Sequence, residues 1–522
     1  MSRSWHVRVA AASVVAVLAT GGVASADPSN NNSEKLRAAV SAAGILEHES
    51  ALSGISGASG GNRLAGAPGH DASAQYVAQR AAAAGMNVSF HNFNYALDFL
   101  ADFTPPQLAV TAGGPARAFV PGIAGGSLGG DFGSMYNSRS TNITAPVFAV
   151  DLNLDPAAPV NTSTSGCQSS DYNGMPAGAI ALVQRGTCTF AQKFKLVNRS
   201  GAGGMILFNE GQPGRTVPLW FDVTGISVPA MAATYDAAAA LANGVESGAT
   251  GLTARFKIDW RPGTYPTRNV IAETASGDPN NVIVVGGHLD SVGVGAGIND
   301  NGSGSAAILE IAEQLSGVAL RNKIRFVWFS AEESGLLGSE AYVASLPAGE
   351  RAKISAMLNF DMIGSPNFVR FVYDGDLSDS EPPEGGAPEG SAQIEQLFLD
   401  YFASQGLATR PTAFDGRSDY GPFIEAGIPA GGLFTGAEGI KTAEEATVFG
   451  GTAGQPYDPC YHLGCDGLSN LSQLAQEQMG DAAAHATITL AQSNPAGGGP
   501  RGRAKFDVRA FPKPKPQSAS QL

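Results

Sequence analysis

A chain of 522 residues exceeds what one hydrophobic core usually organises, which predicts two or three domains. Apolar residues at 43% with 15% charged residues exclude a mainly disordered chain. Acidic residues number 46 against 32 basic ones, and the resulting net charge of −14 repels a phosphate backbone, which argues against nucleic acid as a partner.

The first 26 residues read as a signal peptide: Arg3 and Arg8, an apolar run from Val9 to Leu18, then Ala24-Ser25-Ala26 ahead of cleavage before Asp27. That apolar run is too short for a permanent membrane helix, so the expected mature protein is secreted and free of the membrane; a monomer is expected. No cysteine lies near the cleavage site, which argues against a lipid anchor.

From Ser33 to Asn87 the apolar spacing predicts helices, with Leu36, Val40 and Ile45 in one and Ala74 to Gly85 in another, separated by a loop containing Arg63-Leu64-Ala65-Gly66. Between residues 138 and 254 the pattern changes to short apolar strands, Ala145–Val150, Ala179–Val183 and Gly204–Phe208, divided by Gly, Pro and Asn turns. This segment reads as an inserted small domain between two parts of a larger one, residues 34–137 and 255–494. In the second part strands and helices alternate: Val282–Val285, helix Ala306–Leu315, Ile324–Phe329 and Ala356–Phe360. The fold class expected is α/β, with a mixed, mainly parallel central sheet flanked by helices. Residues 495–522 hold five prolines and six Lys or Arg, the composition of a disordered or removable tail.

Cys167, Cys188, Cys460 and Cys465 form an even set in a chain bound for an oxidising compartment. Proximity favours Cys167 with Cys188 and Cys460 with Cys465, among three connectivities that four cysteines allow. A zinc site on all four thiolates lacks the second closely spaced pair that it would need.

Three predicted strands run into cation-binding side chains. His288 closes the first, Glu332 and Glu333 follow the second, and Asp361 follows the third. Ligands of open α/β sheets sit beyond the carboxyl ends of strands, so these groups converge. Asp290 stands where its carboxylate could accept the second ring N–H of His288, and Asp300, in a glycine-rich loop before a helix, adds an oxygen donor. Taken singly, each has an ordinary reading as a structural histidine, a helix-terminal charge, a turn or a cap. Together they would crowd repelling carboxylates, and a cation is the usual offset.

Gly287–Ser291, Gly297–Gly304, Phe329–Ser339, Asn359–Gly364 and Asp458–His462 resemble, in order and spacing, the motifs of the M28 zinc peptidases, most closely the secreted bacterial leucyl-type aminopeptidases. Gly178–Gly186 and Gly201–Phe208 resemble a protease-associated (PA) domain, small and β-rich. The resemblance implies a zinc exopeptidase fold and two zinc ions. Asp300 would bridge them, His288 and Asp361 would complete one set of ligands, and Glu333 and His462 the other. It makes Glu332 the general base and Tyr461 the donor to the oxyanion. It places Arg417 in a substrate-contacting loop and Phe434 in a pocket for large apolar first residues, and it implies a cis peptide between Asp300 and Asn301. Substrates would be peptides or proteins with a free amino terminus. One departure, Asp419-Tyr420 where relatives often have Asp-His, affects the pocket. Calcium is assigned to no residue by this reading.

Other readings make different demands. A carboxypeptidase of the same superfamily needs several arginines for a terminal carboxylate, and Arg417 alone is visible. An inactive peptide-binding receptor on this scaffold would have lost ligands, and here all five remain with Glu332. Gly125-Gly-Ser-Leu-Gly129 matches a serine hydrolase motif without its strand-to-helix turn.

Overall fold

The computed structural model describes residues 27–97, 101–122, 130–381, 383 and 386–493. The expected signal peptide, the tail from 495 and the Gly125–Gly129 motif fall outside them.

An eight-stranded sheet organises the larger part of the chain. Its strands lie in the order Asn87–Leu97, Gly263–Glu273, Asn322–Phe329, Asp278–His288, Ile354–Phe360, Ala430–Phe434, Phe371–Tyr373, Arg410–Thr412. The four middle strands, from Asn322–Phe329 to Ala430–Phe434, are mutually parallel. Antiparallel pairs flank them. Parallel strands are covered on both faces, which requires apolar side chains of both parities. Ile283, Val285, Leu358 and Trp328 accordingly pack into one core with residues of the Ala42–Ala58, Pro68–Ala83, Gly304–Gln314 and Gln473–Gln492 helices. Val282, Val284, Met357 and Phe329 point to the opposite face, against Tyr342, Val343, Phe423 and Ile424. Helix starts follow their capping residues: Ser41 accepts from the Gly44 N–H at 3.1 Å and Asn32 from that of Lys35 at 3.1 Å.

A second eight-stranded sheet runs Arg117–Ala118, Gln107–Ala112, Gly248–Ile258, Thr141–Ala149, Ile180–Gln184, Gly204–Phe208, Ala230–Ala233, Phe132–Ser134. The strands expected between 138 and 254 are all in it. So are Gln107–Ala112 and Phe132–Ser134, which the sequence reading left with the 34–137 part. Gln107–Ala112 pairs with Gly248–Ile258, and Leu108 and Val110 alternate into the second core, a long-range pairing that local pattern does not reveal. The chain enters and leaves this sheet through one ribbon, since Asn87–Leu97 pairs antiparallel with Gly263–Glu273 as far as Leu97 opposite Gly263. Disulfides join Cys167 to Cys188 and Cys460 to Cys465. Among the described residues, no helix is long and apolar enough to cross a membrane.

Candidate active site

The parallel strands end together. His288 is in register with Phe329, and Gly286 with Asn359, so the residues that follow these pairs gather at one rim of the sheet. The backbone turns sharply there: Ala331, just before Glu332, and Met362, just after Asp361, are left-handed, as is His462 itself. Close approach depends on two glycines. A Cβ on Gly287 would stand 2.4 Å, and one on Gly304 2.1 Å, from the Phe360 carbonyl oxygen.

Asp300 lies between two imidazoles. Its Oδ1 is 3.2 Å from His288 Nε2 and its Oδ2 is 3.1 Å from His462 Nε2. Each ring faces one more carboxylate: Asp361 Oδ1 is 3.4 Å from His288 Nε2, and Glu333 Oε2 is 3.0 Å from His462 Nε2. Glu332 Oε2 stands farther off, 3.9 Å from His288. The five residues expected as ligands, and the neighbouring glutamate, are therefore brought together. Asp290 differs in detail. The nearer acceptor for His288 Nδ1 is the Asp290 main-chain oxygen at 3.2 Å, while the carboxylate is 3.7 Å away and instead takes the Glu332 N–H at 3.3 Å.

Electrostatics at the rim are lopsided. Burial pushes the Glu332 carboxyl well above its ordinary value, and Asp361, Asp419 and Glu333 add to that while His288 opposes it. Glu333 is raised by burial and by Asp300. Burial alone would lower both imidazoles, yet Asp361 and Glu332 hold His288, and Glu333 and Asp300 hold His462, well above the usual histidine range. Asp361 Oδ1 is buried without a hydrogen-bond partner. Carboxylates so placed repel one another unless cations or protons intervene, and two histidines with carboxylates on each side form a donor set suited to zinc-class dications. The residues present therefore fit such ions.

Tyr461 stacks on the His462 ring, centroids 3.8 Å apart, within the short loop closed by the Cys460–Cys465 disulfide. Burial, then Asp300 and Glu333, push its phenol pKa upward. Phe434 ends its strand one residue past Leu433, which is in register with Phe360, and stacks on Phe371 at 6.0 Å. Arg417 is exposed, in the loop between Asp415 and Ser418. The Asp300–Asn301 peptide is cis.

Several residues support the cluster through contacts to which the sequence reading gave no role. Arg63 is fully buried and donates to the main-chain oxygens of Leu289, Ala296 and Gly297, tying down the chain between His288 and Asp300. Asp466 accepts the N–H groups of Asn299 and Asp300 at 2.9 and 3.0 Å. Asn301 links the Asp300 turn to the Asp361 strand, donating to the Phe360 oxygen at 2.9 Å and accepting from Met362 N–H at 3.1 Å. Asp419 is buried with neither carboxylate oxygen hydrogen-bonded, and burial, with Asp361 and Asp290, raises it to about 7 against the pull of His288 and Ser339. The only local signal was the Asp-Asn-Gly turn around Asn301.

Comparison with known proteins points to one family. Residues 269–487 match peptidase family M28 and residues 143–241 match the PA domain. An aminopeptidase of Pseudomonas aeruginosa is 45% identical over 459 residues, 87% of this chain and 81% of that protein. A probable leucine aminopeptidase 2 of Aspergillus fumigatus is 44% identical over 365 residues, 70% of each chain. A probable lipoprotein aminopeptidase of Mycobacterium tuberculosis is 39% identical over 477 residues, 90% of this chain and 88% of that one. Among solved structures, the aminopeptidase from Aneurinibacillus sp. strain AM-1 shares the fold with a TM-score of 0.51 at 23% identity, covering 93% of this chain and 100% of that chain. With relatives of this identity matched over most of their length, and the strand-end cluster in place, the chain belongs to peptidase family M28, among its aminopeptidases, and carries a PA domain.

Proposed function

We propose that this chain is a secreted two-zinc aminopeptidase that removes large apolar residues such as leucine from the amino ends of peptides and proteins. The observation that carries the reading is Asp300, which offers one oxygen to each of two histidines that each have a further carboxylate of their own. On this reading His288, Asp300 and Asp361 would hold one ion, and Asp300, Glu333 and His462 the other. Dications there would polarise a carbonyl oxygen and lower the pKa of water at the site.

The chain's own groups supply the rest. Asp290 orients His288 from behind through its main-chain oxygen, leaving Nε2 to face Asp300 and Asp361. Glu332 takes a proton from the attacking water and returns it to the leaving amine, two tasks suited to a carboxylate whose affinity for protons is raised by burial. Tyr461 donates to the oxyanion that develops on the scissile carbonyl. The substrate's α-amine finds negative charge in Glu332 and Asp361 and carbonyl acceptors in the Gly416–Ser418 loop. Phe434 lines the pocket for the first side chain, in keeping with relatives named leucine aminopeptidases. The domain limits that go with this reading are 34–137 and 255–494 for the catalytic part and 138–254 for the PA insert, the latter extended by the earlier strands described above.

The test compares leucine p-nitroanilide with an N-acetylated peptide, alongside metal analysis of the purified protein. Turnover of the free-amine substrate and at least two zinc ions per chain are expected. Cleavage of only the blocked peptide would point instead to a carboxypeptidase and overturn the reading.

A further inference from the structure

Away from the sheet rim, three helices meet around a histidine with no part in the site described above. His48, on the Ala42–Ala58 helix, is 1% exposed. Its Nδ1 lies 2.8 Å from the hydroxyl of Tyr76, on the Pro68–Ala83 helix. Its Nε2 is buried, has no hydrogen-bond partner, and faces Glu310 Oε2 at 3.6 Å and Glu313 Oε2 at 3.9 Å, both from the Gly304–Gln314 helix.

Those separations are too long for a hydrogen bond. They suit ligands of one shared cation. Donors about 2.1 Å from a tetrahedral ion stand roughly 3.4 Å apart, and more at wider angles. All three donor atoms lie within 4.8 Å of one another. Glu310 and Glu313 are three residues apart and so share a helix face, as carboxylate ligands do in helical-bundle metal sites. If the Tyr76 hydroxyl accepts the Nδ1 proton, Nε2 presents a bare lone pair to two carboxylates, an arrangement that calls for a cation between them.

The surroundings are built around these carboxylates. Arg80 grips Glu313 with Nε and Nη2 at 2.6 and 2.7 Å and reaches Glu47 with Nη1 at 2.8 Å. Glu310 has no such partner; its Oε1 takes an amide N–H from Gln314 at 3.2 Å. A Cβ at position 44 would lie 2.4 Å from Glu310 Oε1, so the glycine there leaves the carboxylate room in this position. A glycine inside a helix costs roughly 0.5–1 kcal/mol relative to alanine, and here it makes room for a charged group.

We propose that His48, Glu310 and Glu313 form a further metal site that takes one divalent transition-metal ion of the zinc class, separate from the strand-end cluster. The ion would clamp the Ala42–Ala58 helix to the Gly304–Gln314 helix, whose first turn follows directly on Asp300. Tyr76 orients the imidazole, and Arg80 holds both oxygens of Glu313, including the Oε2 that faces His48.

The test is metal content after dialysis of the mature protein against zinc chloride and then metal-free buffer. His48→Gln and Glu310→Gln should each retain one equivalent fewer per chain than the unsubstituted protein, with unchanged far-ultraviolet circular dichroism. The readout is a difference between proteins, so it holds whatever the occupancy at Asp300. Crystals of the unsubstituted protein should also give an anomalous peak at the zinc edge among the three side chains. Equal metal content in all three proteins, or no such peak, would overturn the proposal. If the variants fail to fold, the anomalous map decides alone.

Discussion

The hydroxyl of Ser418 donates to Asp361 Oδ2 at 2.6 Å, which leaves Oδ1 of the same carboxylate unpartnered and turned toward His288. A carboxylate held by one oxygen presents the other at a fixed angle. Ser418→Ala should therefore lower metal affinity by about 10- to 100-fold, the usual effect of losing an outer hydrogen bond to a ligand. Competition with a chelator of known affinity measures it, and unchanged affinity would mean that Asp361 is oriented by something else.

Glu332 and Glu333 are neighbours with different surroundings, one 3.9 Å from His288 and the other 3.0 Å from His462. Glu332→Gln should keep its zinc and lose roughly 10²- to 10⁴-fold in kcat, the range for a positioned acid–base group. Glu333→Ala should instead lose metal. Side-by-side elemental analysis and kinetics separate the roles, and identical behaviour of the two variants would contradict them.

Tyr461→Phe removes a hydroxyl and leaves the ring stacked on His462. If the phenol serves the oxyanion, kcat should fall by about 10²- to 10³-fold while zinc content stays the same. A change confined to thermal stability would place Tyr461 in a packing role.

Stability should carry the signature of His485. Burial, with Arg37 nearby, lowers its pKa from 6.5 to about 3. Between those values the unfolded chain binds a proton that the folded chain refuses. The contribution is therefore complete above pH 6.5 and declines, by on the order of 1.4 kcal/mol per pH unit, as pH falls toward 3. Urea unfolding at pH 7 and pH 4.5 should show a smaller drop for His485→Asn than for the unsubstituted protein. Equal drops would show that this ring does not titrate in that window.

The strand-end groups were legible because each apolar run breaks at a polar residue, and the carboxyl ends of parallel strands converge by topology. His288, Asp361 and the two glutamates needed no knowledge of loops. His462 came only from motif resemblance, since nothing local distinguishes it. Arg63, Ser418 and Asp466 were not legible: their importance lies in contacts across 226, 57 and 166 residues of chain, as with Arg63 to Leu289, Ser418 to Asp361 and Asp466 to Asp300. The early strands of the second sheet were missed for the same reason. Leu108 finds Phe256 only once the sheet has formed.

The ribbon through which the second sheet is attached gives the insertion a single two-stranded stem, while its core also takes in Leu64, Ala65 and Ala331. Leu97 and Gly263 already face each other as a pair, so a two-residue turn could close them into a hairpin and delete everything between. Such a shortened enzyme, if it folds, should still cleave dipeptides, and its handling of intact proteins would reveal whether the missing part acts as a gatekeeper or as a guide.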